Sequence, residues 1–553
     1  MLAACGDTSG PPEAPPPGSP GSPVRSEAVG EGFSPRPTRG YILISLDTLR
    51  ADHLSTYGYH RETSPFLDSL AERAVVFENA VVQFPGTLIS HMSMFTGYYP
   101  QQHAVYKPGA VLAREIPTLP ERFRESGFRT YGHTEGGFMA AGFGFERGFE
   151  EFVVDQHESD TDIERTFGRG LDFIEGLESD ERFFVFLHTY SIHDPYEPPE
   201  EFRHAFWEGD PVTALEPDGV TLQEVNDGFR DIDAESVEYF KALYDGSILY
   251  VDSVLERFFG RLEELGVADD TTVVITSDHG EEFLDHGKMV HEQIYPEGLF
   301  VPLVVTHPDL DHAIRVPALV QSIDFAPTLL DLAGLPPLEQ IPGVSLVPYF
   351  ENPATVLSTE AYAEVAHPVM MRSLIVDQGG ELTQIVLSEP LPDPDGTWVP
   401  LTVGFDTDED ELDLELLAYD KPRPARISVN GEEVVELEVW PRGTPYRLEL
   451  PGRHGGDRVV IETPSCHSPS RLGRGDDPRC LGIKVRGAKL RLRELFNLTR
   501  DPTASEDLHL VAIDQRRALE ERLRRYRFEP VAESSERALD EETRKTLEAL
   551  GYL

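Results

Sequence analysis

Several short apolar runs of this 553-residue chain end on side chains that can bind a cation. "GYILISLD" ends at Asp47, "RFFVFLH" (182 to 188) at His188, and "TTVVITSDH" (271 to 279) at Asp278 and His279. Carboxylate oxygens and imidazole nitrogens brought together suit a divalent metal. A further stretch, "QFPGTLISHMSMFTGYYP" (83 to 100), places Thr87 after Pro85-Gly86 and four residues before His91. A Thr hydroxyl is inert at neutral pH, but a cation beside it lowers its pKa and supplies a nucleophile. Taken singly, each residue has a plainer reading: Asp47 as a loop residue, Thr87 as a helix N-cap. The chemistry requires that they meet.

The elements that would bring them together are legible as a pattern. A fourth apolar run of the same kind, "LFVPLVVTHP", spans 299 to 308. Helical patterns lie between the runs: "SPFLDSLAERA" with Ser64 as cap and Pro65 at the first position, "IPTLPERFRESG", and "SVEYFKALYDGSILYVDSVLERFFGRLEELG" ending in Gly266. Short buried strands alternating with helices predict an α/β fold with a mostly parallel sheet sandwiched by helices. In such sheets ligands bind beyond the carboxyl ends of the strands. Asp47, His188, Asp278 and His279 would all occupy that edge.

From about 391 the texture changes to alternating short strands divided by Gly, Pro and Asn-Gly turns, which predicts an inserted all-β sandwich over 391–486. The expected division is a tether (1–38), a catalytic domain (39–350), the start of a small C-terminal subdomain (351–390), the insert, and the end of the subdomain (487–553). That last part carries amphipathic helices near 514 to 526 and 540 to 550. Trp398, Tyr419, Trp440 and Tyr446 are the insert's candidate carbohydrate-contacting aromatics, with packing the plainer role.

A formal charge of −50 argues against nucleic acid as a partner, and an acidic surface repels anionic substrates unless a local cation or His cluster holds them. Lysine occurs seven times, leaving little choice for a catalytic ammonium. No run of about 18 apolar residues is present to span a membrane. "LAAC" followed by Gly6 resembles a bacterial lipobox ending at Cys5, and nine prolines between 11 and 37 would form an extended tether. The expectation is a lipoprotein of the cell envelope whose membrane contact is its lipid anchor. In that oxidising setting Cys466 and Cys480 could pair.

Longer motifs identify a family. "YILISLDTLRADHLSTYGYHRETSPFLDSLAERAVVFENA", "TLISHMSMFTGYYPQQH", "FVFLHTYSIHDPYEPP", "TSDHGEEFLDHGKMVHEQIY", "QSIDFAPTLLDLAG" and "LFNLTRDPTASEDL" occur in the expected order. Together they resemble the sulfatases of the alkaline phosphatase superfamily over about 39 to 390 and 487 to 553. The resemblance implies an alkaline-phosphatase-like fold and a hydrolase of sulfate or phosphate esters. It makes Asp47, Thr87, Asp278 and His279 ligands of one divalent cation (Ca²⁺, Mg²⁺, Mn²⁺ or Zn²⁺) and Thr87 the nucleophile. His193 would contact the sulfuryl or phosphoryl oxygens. His291, where many sulfatases hold Lys, would protonate the leaving group. His188 and His286 are neighbours with weaker claims.

Departures from the pattern carry information of their own. Sulfatases typically read Cys-x-Pro-x-Arg, and that Cys is oxidised to formylglycine. Here the stretch is Thr87-Leu88-Ile89-Ser90-His91, so no formylglycine is expected, and His91 replaces the Arg that helps hold charge. Thr48 stands for the second Asp of the usual pair, and Ser191 weakens a two-ion arrangement. Thr at the nucleophile position resembles the branch that includes phospho-headgroup transferases and phosphodiesterases. The expected substrate is a small anionic ester, or a sulfated or phosphorylated glycan or lipid. The alternatives are a phospho-headgroup transferase and an inactive, glycan-binding sulfatase fold.

Overall fold

The computed structural model describes residues 32–547 apart from 108, 156–162, 227–228, 292, 366–368, 391–396, 400–401, 408, 410, 419–421, 453–456, 464–482, 487–491, 509–511, 537, 540–542 and 546. Cys5, residues 1–31 of the expected tether, Tyr419, Cys466, Cys480 and most of the helix expected at 540 to 550 lie outside the described residues. Residues 32–38, expected within the tether, instead pack on the catalytic domain, where Phe33 N–H donates to Phe350 O at 2.7 Å and Arg36 pairs with Asp270 and Asp309 at 2.9 Å.

An eight-stranded sheet forms the centre. From edge to edge its strands are Ile314–Gln321, Ala74–Val81, Phe300–Thr306, Thr271–Thr276, Gly40–Leu46, Phe183–Thr189, Arg129–Thr134 and Glu151–Val154. Seven run parallel. Phe300–Thr306 is antiparallel to both neighbours, so the fourth apolar run is not of the same kind as the other three. Both faces are covered, which is why the strands read as unbroken apolar runs. Tyr41 and Leu43 pack on one side with Leu88, Met92, Phe95, Phe325 and Leu329. Ile42, Ile44 and Leu46 pack on the other with Phe240, Leu243 and Ile248.

That second face is covered by the long helix Ala234–Glu264. Asp233 caps it by accepting from Ser236 N–H at 2.8 Å, and Gly266 follows its end with φ +70°. The helix Pro65–Ala71 starts after Ser64 as expected, but Ser64 does not cap it. Asp252 of the long helix does so, accepting from Phe66 N–H at 2.7 Å and Leu67 N–H at 3.0 Å.

A small antiparallel sheet follows: Glu360–Val365, Val369–Asp377 and Leu382–Pro390 are joined by Leu492–Asn497 from beyond the insert. The intervening chain forms two four-stranded antiparallel sheets around Phe405, Leu414, Leu416, Ile427 and Ile461. The helix Ile513–Leu523 packs on the small sheet, with Leu519 and Leu523 against Leu495. Among the described residues no helix is long and apolar enough to cross a membrane.

Thr87–Thr96 is the helix that carries the candidate nucleophile, and a buried imidazole braces its far end. His103 Nδ1 accepts from Val105 N–H at 3.2 Å, so Nε2–H donates to Ser93 Oγ at 3.1 Å. Burial pushes this imidazole down to about 3. In the unfolded chain a histidine titrates near 6.5, so as pH falls the unfolded state takes up this proton first. His103 therefore contributes stability that is whole above pH about 6.5 and is lost as pH falls through the window towards 3, at roughly 1.4 kcal/mol per pH unit. Denaturant midpoints at pH 7 and pH 5 measure this. His103→Gln should flatten the pH slope by about one proton, and an unchanged slope would refute the assignment.

Candidate active site and its relatives

The carboxyl edge of the sheet gathers the predicted residues. Asp47 follows the strand Gly40–Leu46, and its N–H donates to Thr189 O at 3.1 Å. His188 is set beside it by register, since Ser45 pairs with His188. Asp278 and His279 follow Thr271–Thr276 on the other flank. Thr87 is the first residue of its helix, where free backbone N–H groups favour an anion, and its side chain makes no cap bond. All five are buried.

Thr87 Oγ1 lies 3.3 Å from Asp47 Oδ2 and 3.4 Å from His279 Nε2. His279 Nδ1–H donates to Gly280 O at 2.9 Å, which leaves Nε2 as the lone-pair nitrogen, 3.4 Å from Asp278 Oδ2 and 3.8 Å from Asp47 Oδ1. Asp47 Oδ1 and Asp278 Oδ2 are buried and have no hydrogen-bond partner among the described residues. Two uncompensated carboxylate oxygens facing each other are unfavourable, and burial followed by the charge of Asp278 raises the Asp47 pKa well above the ordinary range. A divalent cation removes that conflict. One oxygen from each Asp, His279 Nε2 and the Thr87 hydroxyl make a donor set that fits one.

His188 belongs to the site: its Nε2–H donates to Asp47 Oδ2 at 3.0 Å. Burial pushes its pKa down to about 4. His286 does not. It stacks on Tyr295 with ring centroids 3.8 Å apart, and its nitrogens engage Glu297 Oε1 at 2.6 Å and Ala504 O at 3.0 Å, tying the catalytic domain to the C-terminal subdomain.

The imidazoles of His279 and His291 are 4.4 Å apart, and those of His291 and His193 5.3 Å. Burial works against charge on His193, yet Asp194, then Asp47 and Glu281, outweigh it and raise its pKa to about 9. His193 Nδ1–H donates to Asp194 O at 2.8 Å. His291 Nδ1 is 3.3 Å from Glu281 Oε1. Sequence reasoning missed Glu281: in "DHGEEF" it reads as one of two surface acids, but it is fully buried, with its pKa raised to about 7 by burial.

His91 lies beside the site, its ring 5.0 Å from that of His188. Its Nδ1–H donates to Thr87 O at 2.8 Å, and its Nε2 accepts from Ser45 Oγ–H at 2.9 Å. Burial lowers its pKa to about 4, so it is a neutral brace for the backbone of Thr87. Both nitrogens are hydrogen-bonded within the protein, while Nδ1 also lies 3.5 Å from Asp278 Oδ2, and His91, His188 and Asp278 form a second group whose atoms could hold a cation. Thr48, in place of an Asp, takes φ +59° and turns the chain away from the strand, with its carbonyl accepting from Tyr244 Oη at 2.7 Å.

The family model described as Sulfatase matches residues 39–335, more than half of the chain. The chain belongs to the sulfatase family. Arylsulfatase K of Rattus norvegicus is 31% identical over 132 residues, covering 24% of this chain and 23% of that protein. Iduronate 2-sulfatase of Homo sapiens is 24% identical over 401 residues, covering 56% and 70%. The match spans about a quarter or less of the length of the arylsulfatase K relatives. The phosphonate monoester hydrolase of Agrobacterium radiobacter has the same fold, with a TM-score of 0.56 at 17% identity over 89% of this chain and 95% of that one. The sulfatase fold, in the alkaline phosphatase superfamily, is thus the architecture expected from the motifs.

Proposed function

We propose that this sulfatase-family chain is a cation-dependent hydrolase of sulfate- or phosphate-type esters in which Thr87 is the nucleophile. The observation that carries this reading is the Thr87 hydroxyl at a helix N-terminus, within 3.4 Å of Asp47 and His279, beside two unpartnered carboxylate oxygens. A bound divalent cation would be held by Asp47, Asp278, His279 and Thr87, and would polarise the ester and favour the ionised hydroxyl.

The chain's own groups do the rest. Asp47 Oδ2 accepts the Thr87 Oγ1–H bond and orients the oxygen for attack. His193, protonated at neutral pH, offers positive charge to the non-bridging oxygens. His291, steadied by Glu281, protonates the departing oxygen. The resulting phospho- or sulfo-threonine is then cleared by water. A phosphorylated Thr hydrolyses more readily than a sulfated one in such a site, which favours phosphate or phosphonate esters over sulfate. The names of the relatives point both ways.

A panel of aryl sulfate, aryl phosphate monoester, aryl phosphodiester and aryl phosphonate monoester, run on full-length protein after metal analysis, tests this. Cleavage of at least one ester, abolished by EDTA and restored by a divalent cation, is expected. A protein that binds the cation and cleaves none of the four would point instead to a transferase lacking its acceptor.

The lipobox-like Cys5 supports placement of the enzyme in a bacterial envelope, acting on small esters or anionic glycans. Metabolic labelling with a radioactive fatty acid should mark the protein, and Cys5→Ser should erase the label. Labelling that survives the substitution would remove this placement.

A further inference from the structure

In the strand Leu492–Asn497 the side chains of residues 493 to 497 alternate between the two faces of the small sheet. Glu494 faces the catalytic domain and accepts from Tyr295 Oη at 2.6 Å. Arg493 faces the other way, towards the helix Ile513–Leu523, where Leu495 also packs. Between strand and helix lies a cavity of about 240 Å³ lined by Arg493, Arg516, Arg517, Glu520 and Arg524.

Glu520 is shared by three guanidinium groups here, one of which, that of Arg524, also reaches Glu521 at 3.7 Å. Glu520 Oε1 is 3.3 Å from Arg516 Nε and 3.4 Å from Arg493 Nε, and Oε2 is 3.8 Å from Arg524 Nη2. Asp406, close by, is already engaged by Arg458 Nε at 3.1 Å and by Arg493 N–H at 2.7 Å. Among the described residues the buried Arg493 Nη1 has no hydrogen-bond acceptor, and the buried Nε has only the 3.4 Å ion pair with Glu520. Burial, and then the charges of Arg493 and Arg517, lower the Arg516 pKa despite Glu520. In a chain of net charge −50 this is a local reversal of sign. A buried guanidinium N–H such as Arg493 Nη1 is costly to leave without an acceptor, and the planar fork matches the oxygens of a tetrahedral anion.

We propose that this cavity binds a tetrahedral oxyanion, sulfate or phosphate, at a site on the far face of the small sheet from the catalytic edge. Arg493 and Arg516 form its floor, and the exposed Arg517 and Arg524 its rim. The oxyanion is either the free ion or an ester group on a sugar; the recognition chemistry is the same.

The test is calorimetric titration of the full chain, in chloride buffer at constant ionic strength, with sodium sulfate, sodium phosphate and a sulfated disaccharide. The variants are Arg517→Gln with Arg524→Gln, and Arg493→Gln alone. The rim pair lies on the surface and should keep the parent's circular dichroism spectrum. The rim variant is expected to bind sulfate or phosphate at least about tenfold more weakly, as loss of charge-assisted contacts predicts. Binding at the catalytic edge is insensitive to these substitutions, so their effect separates the two sites whether or not any ester is turned over. Tighter binding of the disaccharide than of sulfate identifies an ester group as the ligand, and equal or weaker binding identifies the free anion. Parent-like affinity in both variants, or no binding of any of the three by the parent, overturns the proposal.

Discussion

Replacing Thr87 by alanine is expected to lower ester turnover by at least about a hundredfold while barely moving the unfolding temperature. The contacts of the hydroxyl, 3.3 and 3.4 Å long, are too long to hold much of the fold, and the helix start needs no side-chain cap from it. Alanine keeps the β-carbon and loses the γ-methyl along with the hydroxyl, a loss of about 0.8 kcal/mol for one buried methyl. Thr87→Ser keeps the oxygen and should keep measurable turnover, which distinguishes loss of a nucleophile from loss of packing. Acid-quenched mass spectrometry during turnover should find a phospho- or sulfo-adduct on the peptide containing Thr87, absent from the alanine variant. Parent-like turnover by the alanine variant would remove Thr87 from the chemistry altogether.

Asp47→Asn should abolish turnover to a similar or larger degree, with a thermal signature opposite to that of most buried substitutions. In the cation-free protein Asp47 and Asp278 present unpartnered oxygens to one another. Removing one charge relieves repulsion, so the EDTA-treated variant should unfold at or above the temperature of the EDTA-treated parent. Adding a divalent cation should then separate the two proteins. The parent gains about 2.7 kcal/mol at a hundredfold excess over its dissociation constant, whereas the variant gains little. Scanning calorimetry with Ca²⁺, Mg²⁺, Mn²⁺ and Zn²⁺ in turn measures the shift and identifies the preferred ion. If Asp47→Asn bound one equivalent of cation with the parent's affinity, the ligand set would be wrong.

Much of this site was legible before any coordinates. Asp47, Asp278 and His279 are marked by position alone, because a buried parallel strand is a short apolar run and the first polar residue after it lies at the carboxyl edge. The end of the long helix before Gly266 was legible from the sequence, whereas its cap, Asp233, was found only in the structure. A change of period predicts the insert over 391–486, with 391–396 and 487–491 at its two ends outside the described residues, and the pairing of Leu492–Asn497 with Leu382–Pro390 is what makes it an insertion.

Other features depend on partners distant in sequence. A buried apolar run carries no sign of its direction, so Phe300–Thr306 looked like its parallel neighbours and runs against them. Ser64 had the right chemistry for a cap, yet Asp252, on another helix, reaches the same N–H groups. His188 and His286 were indistinguishable as letters, and strand register sent the first to Asp47 while stacking on Tyr295 took the second away. Glu281 was hidden because a carboxylate next to another carboxylate reads as surface, and only packing reveals that this one is enclosed with His193 and His291. By itself the sequence determined which side chains lie at the ends of strands and helices, since capping and periodicity are local. Only the tertiary structure decided which of them face each other, because the energies that orient a buried polar group come from atoms far along the chain.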